Sequence, residues 1–240
     1  MGRPKRFSNK LCLASAVFTA LMVCACGGGA KSGGGPSPTD ARAPAHSGRY
    51  LPISLGATWT WNATDPATGK SANTTSTVVD MNGLAGTKAG IALFRVVSTT
   101  LTGGTVNWQE DTGSAIVRHR EQFTDQTGAI VSDYLYNPSK LRLDEAPPHM
   151  AAHATWTENY ADVVDKAGVA TTQTTPVVAT WTVVAVDEMV TVPAGSFSCL
   201  HVHRVETATA YDSHFWFAKN VGKVKESGME IKELVAYSIP

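Results

Sequence analysis

Between residues 50 and 240 apolar positions alternate with polar ones in short runs, and glycine, proline and aspartate separate the runs. The stretches 74–81, 91–101, 104–110, 115–123, 129–136, 154–163 and 177–186 are rich in threonine, valine and aromatics, which favour a pleated, half-buried surface. Each predicts a strand. Before them, Trp59-Thr60-Trp61 puts two indoles on one face of a first long strand, and something apolar must cover them. After them, 211–218, 220–226 and 229–237 read as the last three strands. No window sustains a 3.6-residue apolar period over the length of a normal helix, and 139–152 has room for no more than a short helical turn.

The reversal that organises this pattern is Val190-Thr191-Val192-Pro193-Ala194-Gly195-Ser196-Phe197. Pro193 cannot donate a ladder hydrogen bond, so the strand stops there, and Gly195 supplies the backbone freedom a tight turn needs. Beyond it Leu200 and Val202 face one way, and Cys199, His201 and His203 the other. Four further turns repeat one device, an aspartate followed by a short spacer and glycine: Asp65 to Gly69, Asp111 to Gly113, Asp125 to Gly128, and Asp165 to Gly168. Aspartate opens a type I turn and glycine closes the hairpin. The prediction is an all-β domain over 49–240: a curved antiparallel meander sheet, half-barrel or open and barrel-like, with little helix outside the leader.

The leader itself occupies 1–25. Arg3, Lys5, Arg6 and Lys10 precede an uncharged apolar run from Leu11 to Val23, thirteen residues that fall short of the ~20 needed to span a bilayer. The run ends Val23-Cys24-Ala25-Cys26, which resembles a bacterial lipobox with Cys26 as the lipidated residue. Cys24 is the rival, but bulky Val23 stands where a small residue is wanted. Residues 26–48 then form a Gly/Ser/Pro tether whose root-mean-square reach is about 25 Å. Removing the leader takes four of the twenty basic residues and none of the twenty acidic ones, for a net charge of about −4. No basic block or aromatic-basic interleaving suggests nucleic acid. With Cys26 acylated, Cys199 has no partner and is read as a packed residue in a fold that stands without a disulfide.

Three stretches together carry a resemblance: Leu55-Gly56 before Trp59-Thr60-Trp61; Val192 to Phe197; and Trp216-Phe217-Ala218 leading to Val221-Gly222-Lys223-Val224-Lys225-Glu226 and Glu233 to Tyr237. The chain resembles a family of uncharacterised bacterial lipoproteins, and its architecture looks similar to the half-barrels of periplasmic lipoprotein carriers. The resemblance implies a concave sheet able to hold an apolar ligand and no catalytic residue. Applied by the same likeness, the enterobacterial sorting rule reads Gly27 after the lipidated cysteine as outer-membrane delivery, in a cell-envelope location.

Catalytic motifs are few. Gly69-Lys70-Ser71 imitates the end of a phosphate loop but lacks the first glycine and a following helix, so it is a hairpin turn. Neither a Gly-x-Ser-x-Gly elbow nor a His-Glu-x-x-His zinc motif occurs. His201 and His203 share a strand face, and His214 joins them if the next strand pairs in the right register. That metal site is the minor reading beside a plain solvated face. His149 and His153 fit a rigid connection after Pro147-Pro148. Of the six tryptophans, Trp59, Trp61, Trp108, Trp181 and Trp216 are the candidates to line a ligand concavity of at least ~300 Å³, or else to fill a core. The expectation is a lipid-anchored binding module for a lipid or acyl chain, with no cofactor and no catalysis. A structural lipoprotein with an envelope protein partner is the alternative, and a metal-dependent enzyme the third.

Overall fold

The structure, a computed structural model, describes residues 48–207 and 209–240. The leader, Cys26 and nearly all of the tether lie outside the described residues. Twelve strands follow in order: β1 (Thr58–Thr64), β2 (Ser71–Asn82), β3 (Leu93–Thr99), β4 (Gly104–Asp111), β5 (Ala115–Thr124), β6 (Ile130–Asp144), β7 (Thr155–Lys166), β8 (Gln173–Val192), β9 (Gly195–Glu206), β10 (Asp212–Ala218), β11 (Gly222–Ser227) and β12 (Ile231–Ser238). Each pairs antiparallel with its neighbours in sequence, and β1 also pairs with β12, from Thr58↔Ser238 to Thr64↔Ile231. The meander therefore closes into a barrel, one step beyond the half-barrel, and closure satisfies the edge groups that an open sheet leaves exposed.

The aspartate-glycine turns connect β1–β2, β4–β5, β5–β6 and β7–β8. Asp65, Asp111 and Asp125 each accept a backbone N–H two residues on at 2.8 Å. Gly69, Gly113, Gly128 and Gly168 all have positive φ, between 71° and 91°. β8 stops at Val192 ahead of Pro193, and the runs 177–186 and 190–192 prove to be one strand that bulges between Val183 and Glu188. Of the stretch read as a helical turn, Ser139 to Asp144 extends β6, and only Pro147–His149 makes a 3₁₀ turn.

The interior divides along the barrel axis. At one end Trp59, Val78, Ile116, Val192 and Leu234 form an apolar core, continuous through Leu51 with Trp181, Val183, Leu200, Phe215 and Phe217. The segment before β1 closes this floor. Tyr50 and Ile53 are buried there, and Arg49 ties the segment to Glu145 at 3.0 Å and Asp111 at 3.1 Å. Toward the other end the inward side chains turn polar. The outer faces of β1 (Thr58, Thr60, Asn62, Thr64) and β7 (Thr155, Thr157, Asn159) are also polar, unlike the apolar band by which membrane barrels meet lipid.

Candidate functional site: a charged cavity in the barrel lumen

The polar half of the lumen holds a cavity of about 340 Å³. Its floor is Leu51, Pro52 and Ile53, and its lining reaches Thr99, Thr100 and Glu230 at the β3–β4 and β11–β12 turn ends. In an up-and-down barrel those turns lie at the end opposite the floor, so the mouth opens there. Trp59 and Trp61 supply an apolar wall, each ring fixed by its N–H, which donates to the carbonyl of Val221 at 2.6 Å and of Lys223 at 3.2 Å. Facing them are the inward residues of β4, Thr105, Asn107 and Gln109, and a set of charges.

Four cationic and three anionic side chains border the cavity: Arg118, Arg142, Lys223 and Lys232 against Glu121, Glu226 and Glu230. Three of the cations have partners. Arg118 pairs with Glu121, which also accepts from the Tyr136 hydroxyl at 2.7 Å; Lys223 pairs with Glu226; Lys232 reaches Glu230 at 2.6 Å. Arg142 has no hydrogen bond or ion pair among the described residues, and its buried Nε is unpartnered. The register explains its position: Ile116 pairs with Leu143 and Val117 with Leu141, so Arg142 is the extra residue of a β-bulge. Bulges re-aim side chains in this way. Burial, and then the charge of Arg118, depress the Arg142 pKa to about 10, while burial brings Lys223 to about 8. Against burial, Arg118 and Tyr136 hold Glu121 below the usual carboxylate range. A guanidinium in a low-dielectric pocket that has only the through-space attraction of Glu121 and Glu226 and no hydrogen-bonded partner is costly until an anion meets it.

Behind this wall a second buried network joins Arg204, Glu206, Glu158, Tyr160 and Lys140. Arg204 contacts Glu206 at 2.6 Å, the Tyr160 hydroxyl at 3.1 Å and Glu158 at 3.5 Å. Glu158 also accepts from the indole of Trp181 at 2.9 Å and from the backbone of Leu141. Beyond Asn137, β6 no longer pairs with β7, and this carboxylate satisfies a backbone group the ladder leaves over.

The five candidate tryptophans do not share one wall. Trp59 and Trp61 border the cavity. Trp108 lies between inward Asn107 and Gln109, so its ring faces outward beneath the Arg120 guanidinium, 4.9 Å from the centroid. Trp181 points inward but into the packed half, stacked between Trp156 and Phe215. Trp216 lies outside the barrel against His201, ring centroids 4.1 Å apart. The register does bring the three histidines together, since His214 pairs with His203 and Trp216 with His201. His201 is nonetheless buried, and its Nδ1 is 2.7 Å from Glu188. Burial lowers the pKa of His201 and of His214, His214 being lowered also by the two neighbouring imidazoles. Cys199 is fully buried, its thiol pushed up to about 12 by burial and by Glu188. Arg142, Glu188 and Asp212 escaped sequence reasoning, the first because only a register slip turns it inward.

No protein-family model and no curated protein matches the chain. Among solved structures it is similar to a Bacteroides fragilis protein described as exported and of YmcC-like fold, with 13% identity over 79% of this chain and 98% of that one, TM-score 0.38. It is also similar to a protein of Parabacteroides distasonis described as a lipoprotein, with 11% identity over 79% of this chain and 98% of that one, TM-score 0.29. Overlays this loose transfer neither ligand nor chemistry.

Proposed function

We propose that this is a lipid-anchored protein of the cell envelope, at the outer membrane, whose barrel binds a small anionic amphiphile in its lumen without transforming it. The observation that carries the reading is the unpaired Arg142 guanidinium on a cavity whose other wall is Trp59 and Trp61. An acyl chain against the indoles with its carboxylate on Arg142 satisfies both features. This narrows the apolar ligand expected from the sequence: a purely apolar molecule would leave Arg142, the Thr74 hydroxyl and the Asn107 amide oxygen unmatched. A scaffold that docks an envelope partner would have to use an outer face rather than a sheet edge, because β1 and β12 pair. The lipobox-like run Val23-Cys24-Ala25-Cys26 supports the anchored location.

The test is native mass spectrometry of the full chain isolated from bacterial envelopes, followed by denaturing extraction and identification of bound molecules. An anionic amphiphile at one per chain, lost in Arg142→Met and retained in the floor-end control Lys219→Met, supports the proposal. A ligand-free protein whose tryptophan emission ignores added octanoate would overturn it.

A further inference from the structure

Outside the barrel, on β9 and β10, an array of imidazoles is flanked by carboxylates. Asp212, His203, His214, His201 and Glu188 form one connected chain. His203 Nε2 lies 2.6 Å from Asp212 Oδ1; the His203 and His214 rings stack 4.1 Å apart and 5° from parallel; His214 Nδ1 is 2.8 Å from His201 Nε2; and His201 Nδ1 is 2.7 Å from Glu188 Oε2. We propose that His203, Asp212 and His214 form a binding site for a divalent first-row transition ion such as Zn²⁺, with Glu188 and His201 as its supporting relay.

The spacing of the donor atoms favours this, with the stacked His203 and His214 rings turning out of their parallel planes so that both lone pairs meet one ion. One donor atom on each of the three residues lies within 4.8 Å of the other two. Zn–N bonds of 2.0–2.1 Å put tetrahedral donors about 3.4 Å apart, so on filling the wider donor pairs close by up to about 1.4 Å while the 2.6 Å His203–Asp212 contact opens. The residues that must move can move: the side chain of His203 is 29% exposed and that of Asp212 65%. The relay then selects the ligating nitrogen. Glu188 accepts the Nδ1–H of His201, so His201 Nε2 can only accept, and His214 donates its Nδ1–H to it. His214 Nε2 is left with a free lone pair. A carboxylate acting through imidazole to orient a ligand is the usual support around protein-bound metals. Trp216 locks the relay by stacking on His201 and donating its indole N–H to Glu188 at 3.1 Å. Two histidines and one carboxylate leave a fourth coordination position facing solvent.

Equilibrium dialysis of the full chain against Zn²⁺, with bound metal counted by mass spectrometry, tests the site. One equivalent is expected. His203→Ala and His214→Ala should abolish it, and Asp212→Asn, at an exposed position that leaves folding intact, should weaken it tenfold or more. Glu188→Gln, which touches no metal, should weaken it 10- to 100-fold through the relay. His153→Asn should leave it unchanged. No stoichiometric zinc, or zinc kept by both histidine variants, overturns the site. An unchanged affinity in Glu188→Gln overturns the relay and the choice of His214 Nε2.

Discussion

Arg142, half-buried, and Arg204, buried, are both cations of the lumen, yet removing them should have opposite consequences. Arg204 is ion-paired, its side chain 2% exposed and in contact with Glu206, Glu158 and Tyr160, with only its Nε left without a partner. Arg204→Met leaves Glu158 without its cation and Glu206 with Lys140 alone, and should cost about 3 kcal/mol in chemical denaturation. Arg142→Met removes a charge whose burial and repulsion from Arg118 outweigh the through-space attraction of Glu121 and Glu226, so stability should stay level or rise. Two titrations sharpen the contrast. Lys140 and Arg204, outweighing burial, hold Glu206 at about 2 against an ordinary 4.5. Its contribution is complete above about pH 4.5 and is lost as pH falls toward 2, so the acid limb of the stability curve should flatten in Glu206→Gln. Lys223 shifts the other way, to about 8 from 10.5. Between those values the unfolded chain binds the proton that the folded chain has shed, so stability from this residue rises with pH across that window. Lys223→Met should remove the rise, as read from denaturation midpoints at pH 8 and pH 10.

The turns show how much local sequence decides and where it stops. Aspartate and glycine announce four hairpins because their chemistry acts within five residues. The β3–β4 turn is different. Gly103 carries no such signal, yet a Cβ there would stand 2.0 Å from the carbonyl oxygen of Thr124 on the neighbouring strand. Gly103→Asn should therefore cost about 1–3 kcal/mol through overpacking. At Gly128, with φ 86° and nothing within 4 Å of the added atom, asparagine should be tolerated at a few tenths of a kcal/mol. Thermal unfolding of the two variants separates the causes. The same limit governs the sites. Strand parity separates Leu200 and Val202 from His201 and His203, since period two is written in the chain itself, but which face is the lumen is decided by the closed sheet. What joins His203 to Asp212 and His214 is the register of β9 on β10, and what turns Arg142 inward is a slip between β5 and β6. Registers are settled by packing across strands far apart in sequence. Trp108 illustrates the cost: its aromatic character suggested a pocket wall, but its neighbours Asn107 and Gln109 take the lumen side.

The barrel has a closed end and an open one, and the tether joins the closed end. Gly48 donates to the Asn220 side chain at 2.5 Å, and Asn220 donates its backbone N–H to Arg49 at 2.7 Å, both beside the floor. The mouth, bordered by Thr99, Thr100 and Glu230, is at the far end. On the proposed function, anchoring and binding should thus be separable, because the described end of the tether lies at the floor and the cavity mouth at the opposite end of the barrel. Cys26→Ser tests this directly. The variant should shift from the detergent phase to the aqueous phase on partitioning, while octanoate titrated into it changes tryptophan emission with the same midpoint as for the anchored protein in lipid nanodiscs. Arg142→Met should do the reverse, keeping the membrane association and moving the midpoint tenfold or more. A Cys26→Ser protein that stays with the membrane would place the anchor elsewhere in the chain, and one that loses the octanoate response would mean that the lipid, rather than the lumen, supplies the binding surface.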